Sequence, residues 1–140
     1  MGFFKKLFHK ETPEERAERL QDEMWESWEE GKLPPSYQAL LTYVSDVMDG
    51  GHLQYFLNRD LREENFFSLM PTLRELLPEG HAGNLSNAYR AYCRLELDLA
   101  KDGDIAEALD ADPLISYDKY YFDHEEEIFD LLAACAESLA

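Results

Sequence analysis

Residues 49–58 read Asp49-Gly50-Gly51-His52-Leu53-Gln54-Tyr55-Phe56-Leu57-Asn58. Just before them, Leu40, Leu41, Val44, Val47 and Met48 recur at spacings of three and four. That spacing is the pattern of one buried helical face. Glycines cost helical stability and stand where a backbone bends or approaches something closely. The stretch therefore predicts a helix, a sharp break at Gly50-Gly51, and a short helix over Leu53–Leu57 that turns Tyr55 and Phe56 inward.

Helical signals continue on both sides. Upstream, Thr12-Pro13-Glu14-Glu15 offers a capping threonine, a proline suited to the first helical position and a glutamate at the capping-box position. A charged helix to about Glu30 follows, with Leu20, Met24, Trp25 and Trp28 as its apolar stripe. Gly31 and Pro34-Pro35 separate it from the next, which Ser36 caps. Downstream, Leu61–Leu77 places Phe66, Leu69, Met70, Leu73, Leu76 and Leu77 at helical spacing, with Pro71 as a kink or a junction. His81–Asn84 reads as a loop with Asn84 as a cap. Leu85, Ala88, Tyr89, Tyr92, Leu95 and Leu99 form a clean stripe that Gly103 ends. Asp104–Leu109 adds a turn or two. Asp112-Pro113 opens a helix or tight turn through Tyr121. Glu125–Leu139 is the last helix, with Ile128, Leu131, Leu132, Cys135 and Leu139 inward. Strand-like alternation is absent. The expectation is an all-α fold, a compact single-domain array of about six to eight helices with short connections. Residues 12–140 form that domain, behind a basic amphipathic tail at residues 1–11.

Charge narrows the partners. The chain has 13 Lys and Arg against 30 Asp and Glu, a net charge of -17 over 140 residues. Residues 1–10 hold Lys5, Lys6 and Lys10 and no acid, so the body is more acidic than the total. From Leu95 to Ala140 there are 14 acids and only Lys101 and Lys119 as bases. Such a field repels nucleic acid and anionic lipid and attracts basic protein surfaces. Solubility alone is the competing explanation, common among acidic bacterial-type proteins. In the tail, Phe3, Phe4, Leu7 and Phe8 alternate with lysines, a patch for a partner or the acidic body itself, with contact to an anionic membrane surface the weaker expectation.

Chemistry is weakly signalled. Cys93 and Cys135 both fall at apolar helical positions and read as buried free thiols, which points to a reducing, cytoplasmic setting. The first ten residues lack a signal-peptide core, and no run is long enough to span a bilayer. Asp123-His124-Glu125 is compact, but neighbours on one helix point apart, and no His-x-x-x-His or Glu-x-x-His pair occurs. No metal or cofactor is expected, no catalytic residue stands out, and enzymatic activity is the weaker expectation.

One resemblance adds to this. Gly50, Gly51, Gln54, Phe56 and Asn58, with Tyr55 beside them, resemble the Asn-Gly-Gly-x-x-Gln-x-Phe-x-Asn motif of the DNA-mimic-protein-19-like family, a bacterial domain of unknown function. Asp49 departs from the usual asparagine. Leu114 through Asp118-Lys119-Tyr120-Tyr121 resembles the family's leucine–aspartate and double-tyrosine element, and an acidic helix follows it. The resemblance spans about residues 35–132. It implies an all-helical fold. For at least one characterised member it implies DNA mimicry, in which an acidic surface occupies the DNA-binding face of a transcription regulator.

Two functional readings follow, from different classes. In the first, carboxylates three or four residues apart on a helix, with Cβ atoms about 5–6 Å apart, imitate phosphates and bind a basic protein such as a transcription regulator. Asp123, Glu126, Glu127 and Asp130 have that spacing, and Asp102, Asp104 and Glu107 extend the patch. In the second, the glycine corner presents His52, Gln54 and Asn58 to a small ligand or a catalytic pocket. The bland alternative to that pocket makes the corner structural, with Gln54 and Asn58 satisfying backbone groups and Tyr55 and Phe56 filling the core. An immunity-type interaction module stays open as a third reading.

Overall fold

The computed structural model describes residues 10–59 and 63–140. Among these the chain forms seven helices and no strand: α1 Pro13–Glu29, α2 Pro35–Arg59, α3 Glu63–Arg74, α4 Glu79–Arg94, α5 Asp102–Ala111, α6 Ile115–Asp123 and α7 Glu125–Ser138. The all-α expectation is met. Most of the basic tail, residues 1–9, lies outside the described residues.

Local chemistry starts the first helix as its sequence predicts. The Glu15 backbone N–H donates to Thr12 Oγ1 at 3.1 Å, and Pro13 occupies a position where no helical donor is needed. Leu20 and Met24 are buried from this helix, while Trp25 and Trp28 are half-buried and meet edge to face.

The bent helix α2 is the hub, packing against α1, α3, α4 and α6. Its first limb buries Leu40, Leu41, Tyr43, Val44 and Val47, and its second buries His52, Leu53, Tyr55 and Phe56. Gly51 breaks it with φ 81° and ψ -176°. An ion pair closes the bend. Arg59, at the end of the second limb, reaches back to Asp46 on the first, Nε to Oδ2 at 2.8 Å. That bond holds the guanidinium above its ordinary pKa.

Three boundaries differ from the sequence reading. His81–Asn84 lies within the first turns of α4 rather than in a loop. Its residues are fastened from outside: His81 and Ala82 are buried, and Asn84 Nδ2 donates to the Tyr117 carbonyl at 3.0 Å instead of capping a helix. The helix ends at Arg94, well before Gly103, because Glu96 turns left-handed at φ 50°. Gly103 instead lies inside α5. Pro71 sits within α3 without ending it. Asp112, at φ 45°, ends α5, and its carbonyl accepts from the Ile115 N–H at 3.2 Å in a tight turn, so that α6 starts only at Ile115.

The cysteines also divide. Cys135 is buried as expected, but Cys93 is exposed, because the α4 face that carries it has no helix over it among the described residues; both are free thiols.

Candidate functional site

The two sequence elements that carry the family resemblance meet in the core. Asp118 of α6 lies directly against Gly51 of α2. A Cβ at residue 51 would overlap Asp118 Oδ2, and the positive φ there disfavours any side chain in its own right. The same carboxylate accepts two bonds from His52 at Oδ1, from the backbone N–H at 2.8 Å and from ring Nδ1 at 2.7 Å. On the other side of the ring, Nε2 lies 2.8 Å from the Tyr43 hydroxyl.

The proton positions follow from this network. A carboxylate only accepts, so Nδ1 carries a ring hydrogen, and in the neutral ring Nε2 then accepts from Tyr43 O–H. Burial is the main reason the Tyr43 phenol is pushed well above its usual pKa, with Tyr121, Tyr55 and Asp118 adding to it, which keeps it a donor. The order tyrosine–histidine–aspartate has the look of a proton relay. However, Tyr43 and His52 are both fully buried, walled by Tyr55, Phe56 and Tyr121. No substrate reaches either side chain in this structure, so the network positions helices.

His52, Gln54 and Asn58 are not gathered on one cleft. His52 points inward, whereas Gln54 Nε2 donates to Asn58 Oδ1 at 2.6 Å, one turn along the helix. Tyr55 and Phe56 are core residues, as the sequence indicates. Gly50 lies against the Gln54 side chain. The role of Asp118 was missed because the partner of the Gly51 corner lies 66 residues away. The legible signal was a carboxylate inside an aromatic, apolar helix.

A second histidine centre adjoins this one. His81 is fully buried at the start of α4, and its Nε2–H donates to the His124 carbonyl at 2.9 Å. Glu127 Oε2 lies 3.5 Å from the same nitrogen. Tyr120 stacks on His124 at 4.0 Å between ring centroids, and its hydroxyl fills the space that a side chain at Gly80 would need. The double tyrosine thus turns one ring, Tyr121, into the core and lays the other along the α6–α7 junction. Among the described residues no group of three or more His, Cys, Asp or Glu is arranged to hold a metal ion.

Outside this core lies the acidic face. Asp123 ends α6, and Glu126, Glu127 and Asp130 occupy the first turns of α7; all four are exposed. Asp123, Glu126 and Asp130 enter no ion pair among the described residues, and Glu127 faces only His81. Carboxylates at a helix N-terminus are favoured by the dipole there, which offsets their mutual repulsion. Asp102, Asp104 and Glu107 are on α5, with Asp102 and Glu107 exposed and Asp104 half-buried. Large exposed apolar side chains share these two helices: Phe129 lies between Glu126 and Asp130 in the sequence of α7, Phe122 precedes Asp123, and Ile115 opens α6. They are 48%, 47% and 63% exposed.

A family model described as DMP19-like protein matches residues 32–138, more than half of the chain. The chain belongs to the DMP19-like family. The match runs from just before α2 to the last residue of α7, so it covers both the buried histidine centre and the acidic face. No curated protein and no solved structure gives a significant match.

Proposed function

We propose that this DMP19-like protein is a non-covalent binding protein whose acidic C-terminal face occupies the DNA-binding surface of a basic protein, such as a transcription regulator. Asp123, Glu126, Glu127 and Asp130 supply the phosphate-like charge, with Asp102, Asp104 and Glu107 as flanking groups. The family membership supports the reading, since the family takes its name from a DNA mimic. The observation that carries it is the composition of the α7 surface. Along α7, Glu126 and Asp130, carboxylates without cationic partners among the described residues, flank exposed Phe129 at helical spacing, and exposed Phe122 precedes Asp123 at the end of α6. A merely solubilising face has no use for large exposed rings. A protein-binding face uses aromatic anchors inside a charged rim.

The mechanism is electrostatic. The field of the acidic face speeds encounter, and close carboxylate–guanidinium or carboxylate–ammonium pairs fix the register. The test is capture of partners at low salt, followed by displacement of a labelled DNA duplex from the captured protein. The wild-type chain should release the duplex, and a variant combining Asp123→Asn, Glu126→Gln, Glu127→Gln and Asp130→Asn should not. Capture should fade between about 0.1 M and about 1 M salt, as the screening length falls from about 10 Å to about 3 Å. Equal displacement by the amide variant would remove the proposal.

A further inference from the structure

We infer that the groove between α3 and α4 is a second docking site, built for an acidic amphipathic helix of a partner protein. Arg74 of α3 meets Ser86 of α4 while Phe66 stacks on Tyr89, so the two helices run antiparallel with a channel between them. The cavity has a volume of about 580 Å³, within the range of about 300–1,000 Å³ seen for ligand sites. Its floor is apolar: Phe66, Met70 and Tyr89 are buried there, and the Phe67 ring at the edge is 61% exposed.

The sign of the charge sets this groove apart from the acidic face. Every charged side chain lining it among the described residues is an arginine: Arg74, Arg90 and Arg94. None of the three pairs with a carboxylate among the described residues, although acids outnumber bases by 30 to 13 in the chain. The other arginines among the described residues are neutralised, Arg16 by Glu137, Arg19 by Glu11 and Glu23, and Arg59 by Asp46. An acidic chain that leaves three guanidinium groups unpaired around one apolar channel has a surface complementary to an apolar anion.

Spacing selects the occupant. Ser86, Arg90 and Arg94 follow one another at four-residue steps on α4 and extend about 12 Å along it. Arg74 stands on the opposite wall. Charges strung along a channel match several carboxylates on an elongated ligand better than the single head group of a fatty acid. A helix with apolar residues at three- and four-residue spacing inserts side chains between such walls and presents flanking glutamates to the arginines. Bidentate guanidinium–carboxylate pairs then fix its register. This site attracts the opposite charge from the acidic face and does not depend on it.

The probe is a synthetic amphipathic peptide with Leu and Phe at that spacing and Glu beside them, titrated into the full chain and followed by fluorescence anisotropy. Binding should weaken at least tenfold in the Arg90→Glu, Arg94→Glu double variant and in Phe67→Ala, all at exposed positions. The peptide should also slow alkylation of Cys93, the exposed thiol on the groove wall, while the amide variant of the acidic face binds it unchanged. Equal binding of a peptide with Lys in place of Glu would overturn the inference. So would protection of Cys93 by decanoate but not by the peptide, or self-association of the chain that the arginine variant abolishes.

Discussion

Asp118 and Glu126 lie on consecutive helices, and their surroundings are opposite. Asp118 is drawn into the core, where His52 supplies it with two donors and Gly51 leaves it room. Glu126 stands in solvent beside an exposed phenylalanine and has no cation near it among the described residues. One carboxylate is hydrogen-bonded into the fold through Oδ1, and the other makes no ion pair among the described residues. The difference separates what the family motif does from what the proposed function requires. Gly51, Asp118 and Tyr121 fasten α2 to α6, while the surface proposed for binding lies on residues that the motif does not contain.

Four experiments can break or sharpen that contrast. The largest effect is expected at high pH. Burial raises the phenol pKa of Tyr43, Tyr55 and Tyr121 in the folded chain. The folded state therefore keeps protons that the unfolded state releases above about pH 10. The stabilisation is complete below that pH and is lost as pH rises toward the folded-state values, at up to about 1.4 kcal/mol per pH unit for each ring. Urea midpoints measured from pH 8 to 11 should stay level and then fall.

Next comes Gly51→Ala, which combines left-handed strain with displacement of Asp118. It should cost about 3 kcal/mol or more in urea denaturation. A near-neutral result would mean that the corner does not depend on close approach. Tyr43→Phe removes one hydroxyl and leaves His52 Nε2 without its donor, at an expected cost of about 1–2 kcal/mol. It should also make the alkaline loss shallower, which separates it from a simple packing defect. The smallest change in stability belongs to the amide variant of the acidic face. Its melting should shift by less than about 0.5 kcal/mol, and in the stabilising direction if like-charge repulsion dominates, while partner binding collapses. A large loss of stability there would mean that the outer carboxylates serve the fold, as Asp118 does.

The three- and four-residue spacing of Leu40, Leu41, Val44 and Val47, the Thr12-Pro13 start and the stripe of the last helix were enough to specify helices and their buried faces. These are local properties, set by neighbours within one or two turns. The same locality explains the errors at His81–Asn84, Gly103 and Cys93. A histidine, an asparagine and two glycines look like a loop until Tyr117 and Tyr120 supply the contacts that hold them as a helix. Acidity was also legible, because charge is a sum over residues and needs no fold. Two things were decided only by tertiary structure. His52 belongs to Asp118 and Tyr43 rather than to a ligand, because chain closure brings together residues 66 apart. Three arginines on two different helices share one apolar channel, because antiparallel packing of α3 and α4 sets their side chains face to face. Periodicity assigns each residue to a side of its own helix, and only the packing of helices against one another determines what that side meets.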